Sequence, residues 1–116
     1  MMVAHVVLFT PRADLSQSER ASFVEALEHA LVNIPLIKRA RLGRRFTVGR
    51  QYDQQPGHQF PYAAILEFES AADLRAYLDH PAHSTLGEQF YAASSSALAF
   101  DFDLIDGDQA RELLLS

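Results

Sequence analysis

Val3-Ala4-His5-Val6-Val7-Leu8-Phe9-Thr10 (residues 3–10) is the stretch on which the fold turns. Its residue types favour an extended strand over positions 2–10. Val3, His5, Val7 and Phe9 then face one side, and Ala4, Val6 and Leu8 the other. Both sides are apolar, so the strand is expected to be covered on both faces. Pro11 is expected to end it. One polar ring, His5, sits among the apolar side chains.

Working outward, Ser16-Gln17-Ser18-Glu19 carries the Ser-x-x-Glu spacing of a capping box, which opens a helix. Phe23, Leu27, Ala30, Leu31 and Ile34 make its apolar stripe. Pro35 stops it near Asn33. Residues 37–48 read as a second strand, with Gly43 marking a bulge or a close backbone approach. Residues 49–61 hold Gly49, Pro56, Gly57 and Pro61, and form a loop long enough to act as a flap. Residues 62–68 alternate as a third strand. Ser70 caps a second helix, which ends at His80 because Pro81 follows. Pro81 suits the first turn of another helix, reaching about Tyr91. Ala92 to Ala97 read as a turn or a frayed helix end. Leu98, Phe100, Phe102 and Leu104 alternate with Ala99, Asp101 and Asp103 in a fourth strand. Residues 108–115 suit a short terminal helix.

The order β-α-β-β-α-β is two split βαβ halves. It predicts an α+β, ferredoxin-like subunit with helices on one face of an antiparallel sheet. The other sheet face is also apolar, and a second copy of the chain is the natural cover. The 116 residues suffice for a single domain, with a core over about 2–105 and a C-terminal extension over 106–116.

Charge is unevenly placed. Residues 1–50 carry 8 Lys+Arg against 4 Asp+Glu, and residues 51–116 carry 2 against 11, which together make the net −5. The basic excess lies at Lys38, Arg39, Arg41, Arg44, Arg45 and Arg50. The acidic one lies at Asp101, Asp103, Asp106, Asp108 and Glu112. An acidic chain repels phosphate, so these blocks are expected to meet within the fold or across a dimer, and no nucleic acid partner is expected. No run approaches the ~18 apolar residues of a membrane span. No export signal opens the chain, so the cytoplasm is the expected location. There is no cysteine, which removes disulfides, thiolate metal sites and a Cys nucleophile.

The candidate chemistry lies in His5 and in Tyr77-Leu78-Asp79-His80-Pro81-Ala82-His83. Tyr77 and His83 flank a helix break, so both can face one cavity. His80 and His83 have tolerable metal-ligand spacing with His5 as a third ligand. However, the Glu of a His-Glu-x-x-His helix is missing, and Pro81 breaks the helix that would align the rings. No metal site and no cofactor are therefore expected. Each residue also has an ordinary structural reading: His5 as a hydrogen-bonded core histidine, Tyr77 as packing, His80 as a helix terminator. His29 and His58 read as solvated.

In order and spacing, His5-Val6-Val7-Leu8-Phe9, Ile34-Pro35, Leu42-Gly43, Leu66-Glu67-Phe68-Glu69-Ser70, Tyr77–His83 and Phe100-Asp101 resemble the stress-responsive dimeric α/β-barrel (Dabb) family over roughly residues 3–105. The resemblance implies a homodimer whose two sheets close into a barrel. It does not imply one activity, since members range from plant stress proteins to polyketide cyclases that perform an intramolecular aldol condensation without a cofactor. By likeness to those cyclases, His83 is the base, Tyr77 its partner at the substrate oxygen, and His5 a further pocket histidine. Leu27 and Tyr62 stand where a cyclase carries a tyrosine and a histidine, so the substrate-binding wall differs. Haem-degrading enzymes on the same barrel use an Asn-Trp-His set, and this chain has no Trp. Two readings follow. One is a pocket for a small hydrophobic carbonyl or aromatic ligand, with acid–base chemistry of the aldol-cyclase or lyase type. The other is a non-catalytic stress or assembly protein with structural histidines. An open cavity of a few hundred cubic ångströms favours the first, and a filled interior the second.

Overall fold

A computed structural model describes residues 2–57 and 59–115. The expectation for His58 lies outside them. The elements are β1 (Val3–Pro11), α1 (Gln17–Asn33), β2 (Arg39–Arg44), a 3-10 turn (Gln51–Gln54), β3 (Tyr62–Phe68), α2 (Ala71–Asp79), α3 (Pro81–Ala93), β4 (Ser94–Asp103) and α4 (Ala110–Leu114). The four strands form one antiparallel sheet in the order β2-β3-β1-β4. This is the expected ferredoxin-like α+β arrangement.

Helix boundaries follow their local chemistry. The Ser16 hydroxyl accepts the Glu19 N–H at 3.1 Å and the Glu19 carboxylate accepts the Ser16 N–H at 2.9 Å, so the capping box is complete. Ile34, only 1% exposed, closes α1 and anchors it on the sheet. Ala30, Ile34, Leu66, Phe68, Leu74 and Leu86 belong to one buried cluster between α1–α3 and the sheet.

Three expectations need correction. β2 stops at Arg44 rather than Val48, because its neighbour β3 begins only at Tyr62. Arg45 N–H still reaches the Pro61 carbonyl at 2.8 Å, and the ladder then has no partner strand. Gly43 sits in regular register with Ala63, and a Cβ there would meet nothing within 4 Å, so it is neither a bulge nor a close approach. The small residues Ala92 to Ala97 are not a turn. α3 runs through Ala93 and β4 starts at once at Ser94, because β1 continues through Thr10 and Pro11 and offers a pairing edge, with the register shift between those two residues. Pro11 is the last residue of β1, which ends there as expected.

The pleat sorts the sheet into two faces. Val3, His5, Val7 and Phe9 face the helices, and Val6, Leu8, Leu98, Phe100 and Phe102 lie on the other side. No helix among the described residues covers that side: Phe100 and Phe102 are 49% and 50% exposed. The radius of gyration is 15.9 Å and the extents are 48 × 38 × 17 Å. A compact chain of this length would have a radius of about 13 Å. The fold is thus a slab, one helix layer on one sheet, with an apolar face left open.

The charge blocks sort onto the two edges of that slab. Lys38 pairs with Glu69 at 3.6 Å and Arg41 with Glu67 at 3.7 Å, so part of the basic block is answered by Glu67 of β3 and by Glu69 just past its end. The acidic residues of β4 lie on the opposite edge, with two strands between.

Candidate active site

Three rows of the helix-facing side of the sheet border a cavity. Strand register puts Ala40, Leu66, His5 and Asp101 side by side, then Leu42, Ala64, Val7 and Ala99, then Arg44, Tyr62, Phe9 and Ala97. Rows two residues apart are separated by about 7 Å. The cavity, of about 370 Å³, opens between these rows and the inner sides of α1, α2 and α3. Its polar groups, His5, Tyr77 and His83, gather at the first row. Its far end is aromatic: the rings of Phe9, Phe23 and Phe90 stand 5.3–6.1 Å from one another.

The helix break brings Tyr77 and His83 together. His80 precedes Pro81 and takes an extended backbone (φ −71°, ψ 139°), so it ends α2 and begins α3. Its N–H donates to the Tyr77 carbonyl at 3.1 Å, and its carbonyl accepts from His83 and Ser84 at 2.9 and 3.1 Å. Its ring Nδ1 accepts the Ala82 N–H at 3.0 Å. The ring of His80 thus serves as an N-cap, a part normally taken by Ser, Thr, Asn or Asp. The chain turns here, and the His83 ring lands 4.6 Å from that of Tyr77, edge to face.

Hydrogen bonds fix both pocket histidines. His83 Nδ1 lies 3.1 Å from the Leu78 carbonyl. A carbonyl only accepts, so Nδ1 carries the proton and the neutral ring leaves its lone pair on Nε2. His5 Nδ1 lies 2.6 Å from Asp101 Oδ1, so it donates to that carboxylate and its Nε2 is likewise the free nitrogen. The His5 and Tyr77 rings are 6.0 Å apart. Burial lowers the pKa of His83, the hydrogen bond to the Leu78 carbonyl offsets part of this, and the nearby His5 adds a smaller lowering effect. Burial pushes the Tyr77 phenol up to about 12, which keeps it protonated at any physiological pH.

The residues singled out from sequence fall as follows. His5, Tyr77, His83 and Leu27 line the cavity. Tyr62 does not: it is partly exposed and stacks on Phe9 with centroids 5.7 Å apart. His29 is on the exposed side of α1, bonded to Asn33. Among the described residues no three His, Asp or Glu gather as a metal site. The described residues of the loop after β2 do not line the cavity. It is tied to itself, with Asp53 Oδ2 accepting the N–H groups of Val48, Gly49 and Arg50 at 2.7–3.0 Å and Arg45 bonding the Asp53 carbonyl and the Gln59 side chain.

Asp101 escaped the sequence reading of the site. The alternation of β4 contained the signal, since it puts Asp101 on the opposite face from Phe100 and Phe102. What could not be read was the register that sets it beside His5. Phe90 escaped for a similar reason: its place on the inner stripe His83, Leu86, Gly87, Phe90 depends on where α3 begins.

Known proteins share this fold. Olivetolic acid cyclase of Cannabis sativa is 25% identical over 104 residues, spanning 88% of this chain and 96% of that protein. A dimeric ferredoxin-like protein of unknown function from Bacteroides fragilis is 28% identical with a TM-score of 0.64, covering 89% of this chain and 96% of the other. The hydroxynitrile lyase of Passiflora edulis shares the fold, with a TM-score of 0.75 at 17% identity over 90% of this chain and 94% of that one. No helix among the described residues is long and apolar enough to cross a membrane. The profile of the stress responsive A/B barrel domain matches residues 3–104, nearly the whole sheet and helix layer, and the chain belongs to that family, Dabb.

Proposed function

We propose that this protein is a cofactor-free acid–base catalyst of the cyclase or lyase type, acting on a hydrophobic carbonyl compound as a homodimer. One observation carries the reading: an apolar cavity of about 370 Å³ has its polar groups at one end, with an unprotonated imidazole nitrogen next to a phenol. Small-molecule sites have this form, mostly apolar with a few placed polar groups.

The chemistry follows from the protonation states. His83 Nε2 takes a proton from the carbon next to a substrate carbonyl. The electron pair moves to the carbonyl oxygen, where the Tyr77 hydroxyl donates a hydrogen bond. In a cyclisation the enolate carbon bonds to a second carbonyl carbon of the same molecule. The alkoxide so formed takes the proton back from His83. A lyase runs the same transfers in reverse. The lowered pKa of His83 keeps it neutral, and thus competent as a base, at neutral pH. His5, oriented by Asp101, offers a second nitrogen to a substrate oxygen. The name of the Cannabis relative supports this class of chemistry, and the open apolar sheet face supports the dimer.

The test is a thermal-shift screen of planar polyketide acids and aromatic aldehydes on the wild type and on His83→Ala. A compound that raises the melting temperature of the wild type but not of the variant supports the site. Equal stabilisation of both removes His83 from it, and turnover retained in His83→Ala removes it as the base.

A further inference from the structure

α2 and α3 meet at a joint of a single residue. α2 ends at Asp79, α3 begins at Pro81, and His80 is all that lies between. Such a joint leaves unpaired carbonyls at the end of one helix and unpaired N–H groups at the start of the next. Two histidine rings answer them from opposite sides. His80 Nδ1 accepts the Ala82 N–H at 3.0 Å, at the start of α3. His83 Nδ1 donates to the Leu78 carbonyl at 3.1 Å, near the end of α2. A backbone N–H only donates and a carbonyl only accepts, so Nδ1 is bare in His80 and protonated in His83.

His80 shares a short motif with Tyr77 and His83, yet it is not among the residues that line the cavity. Any effect it has on the site passes through the chain. Pro81, Ala82 and His83 are the first three residues of α3, so His83 stands in the one turn that the His80 ring closes. Proline fixes only its own φ, which leaves Ala82 and His83 to the cap. Helix ends fray, and a frayed first turn would take the His83 ring from its place 4.6 Å from the Tyr77 ring.

Resting on the pocket reading above, we propose that His80 is a positioning residue. Its ring holds the first turn of α3, and that turn holds the His83 imidazole against Tyr77. It contacts no substrate and moves no proton in the reaction.

The test compares wild type, His80→Ala and His80→Asn without any ligand. Alanine removes the cap, while asparagine keeps an acceptor for the same N–H. The readout is nitrogen NMR of the His83 ring across a pH titration. In the wild type the proton sits on Nδ1 and the ring titrates below 6.5. In His80→Ala the titration is expected to move up toward 6.5, with the proton no longer confined to Nδ1. The melting temperature should fall by about 3–6 °C. His80→Asn should restore both. A His80→Ala protein that melts lower while its His83 signals stay those of the wild type has lost a cap that serves stability alone, which overturns the proposal. A His83 ring in His80→Asn that departs from the wild-type titration overturns it as well, and this arm holds even where His80→Ala does not fold. The carbonyl screen described above tests the pocket reading separately. A screen without a hit removes that function, while the His83 signals still report whether His80 places the ring.

Discussion

The contact between His5 and Asp101 links the site to stability and admits a quantitative test. Asp101 Oδ1 lies 2.6 Å from His5 Nδ1, with the histidine side chain 11% exposed and the aspartate 50%. A hydrogen bond to a charged group contributes about 1.5–3 kcal/mol when sheltered. A fully exposed ion pair contributes about 0.2–1 kcal/mol. Water reaches the carboxylate but hardly reaches the imidazole, so about 1–1.5 kcal/mol is expected. Asp101→Ala leaves the buried Nδ1–H without its acceptor and forfeits that amount. Asp101→Asn retains an oxygen that accepts the same proton, and should lose less than half as much. The measurement is urea unfolding of wild type, Asp101→Ala, His5→Leu and the double variant, at one fixed protomer concentration because association feeds into stability. With a slope of about 1.5–2 kcal/mol per M, Asp101→Ala should shift the midpoint by roughly 0.5–1 M. The double-mutant cycle should give a coupling of about 1 kcal/mol. A coupling below about 0.3 kcal/mol, or nitrogen NMR showing the His5 proton on Nε2, refutes the argument.

Acidification should act through His83. Its folded pKa lies below the unfolded value of 6.5, so the unfolded chain binds more protons in that window. The stability it contributes is complete above pH 6.5 and is lost as pH falls through the lower folded value. Its activity as a base should fall over the same range, and an activity that rises on acidification contradicts the assignment. Tyr77 works in the other direction: the phenol's stabilising effect persists below pH 10 and is lost between pH 10 and about 12, so Tyr77→Phe should flatten the alkaline limb of a stability profile. Light scattering should find a species of twice 13.0 kDa. Phe100→Glu places a charge on the open apolar sheet face and should shift the population to monomer, with an unchanged dimer arguing that the subunits meet elsewhere.

Much of the architecture could be read from the chain because it rests on local rules. The capping box at Ser16, the stop at Pro35 and the break at Pro81 depend on residues within a few positions of one another, and each appears where local chemistry puts it. The errors fall where a partner strand decides. β2 ends at Arg44 because β3 offers no further edge, and Ala92–Ala97 extend into structure because β1 does offer one. A hydrophobic pattern cannot show which strand lies alongside or how far it reaches.

The site divides in the same way. Alternation alone puts His5 inward, and the Pro81 break alone allows Tyr77 and His83 to share a side. The chain by itself thus determined the element order, the caps and the three candidate groups, because periodicity and proline sterics are properties of neighbours in sequence. The antiparallel register of β1 with β4 brought Asp101 beside His5 across 96 positions, and the packing of α3 over the sheet left a cavity between them. Those belong to the tertiary structure, because contact between distant residues is set by how whole elements pair and pack, and no short stretch of sequence encodes it.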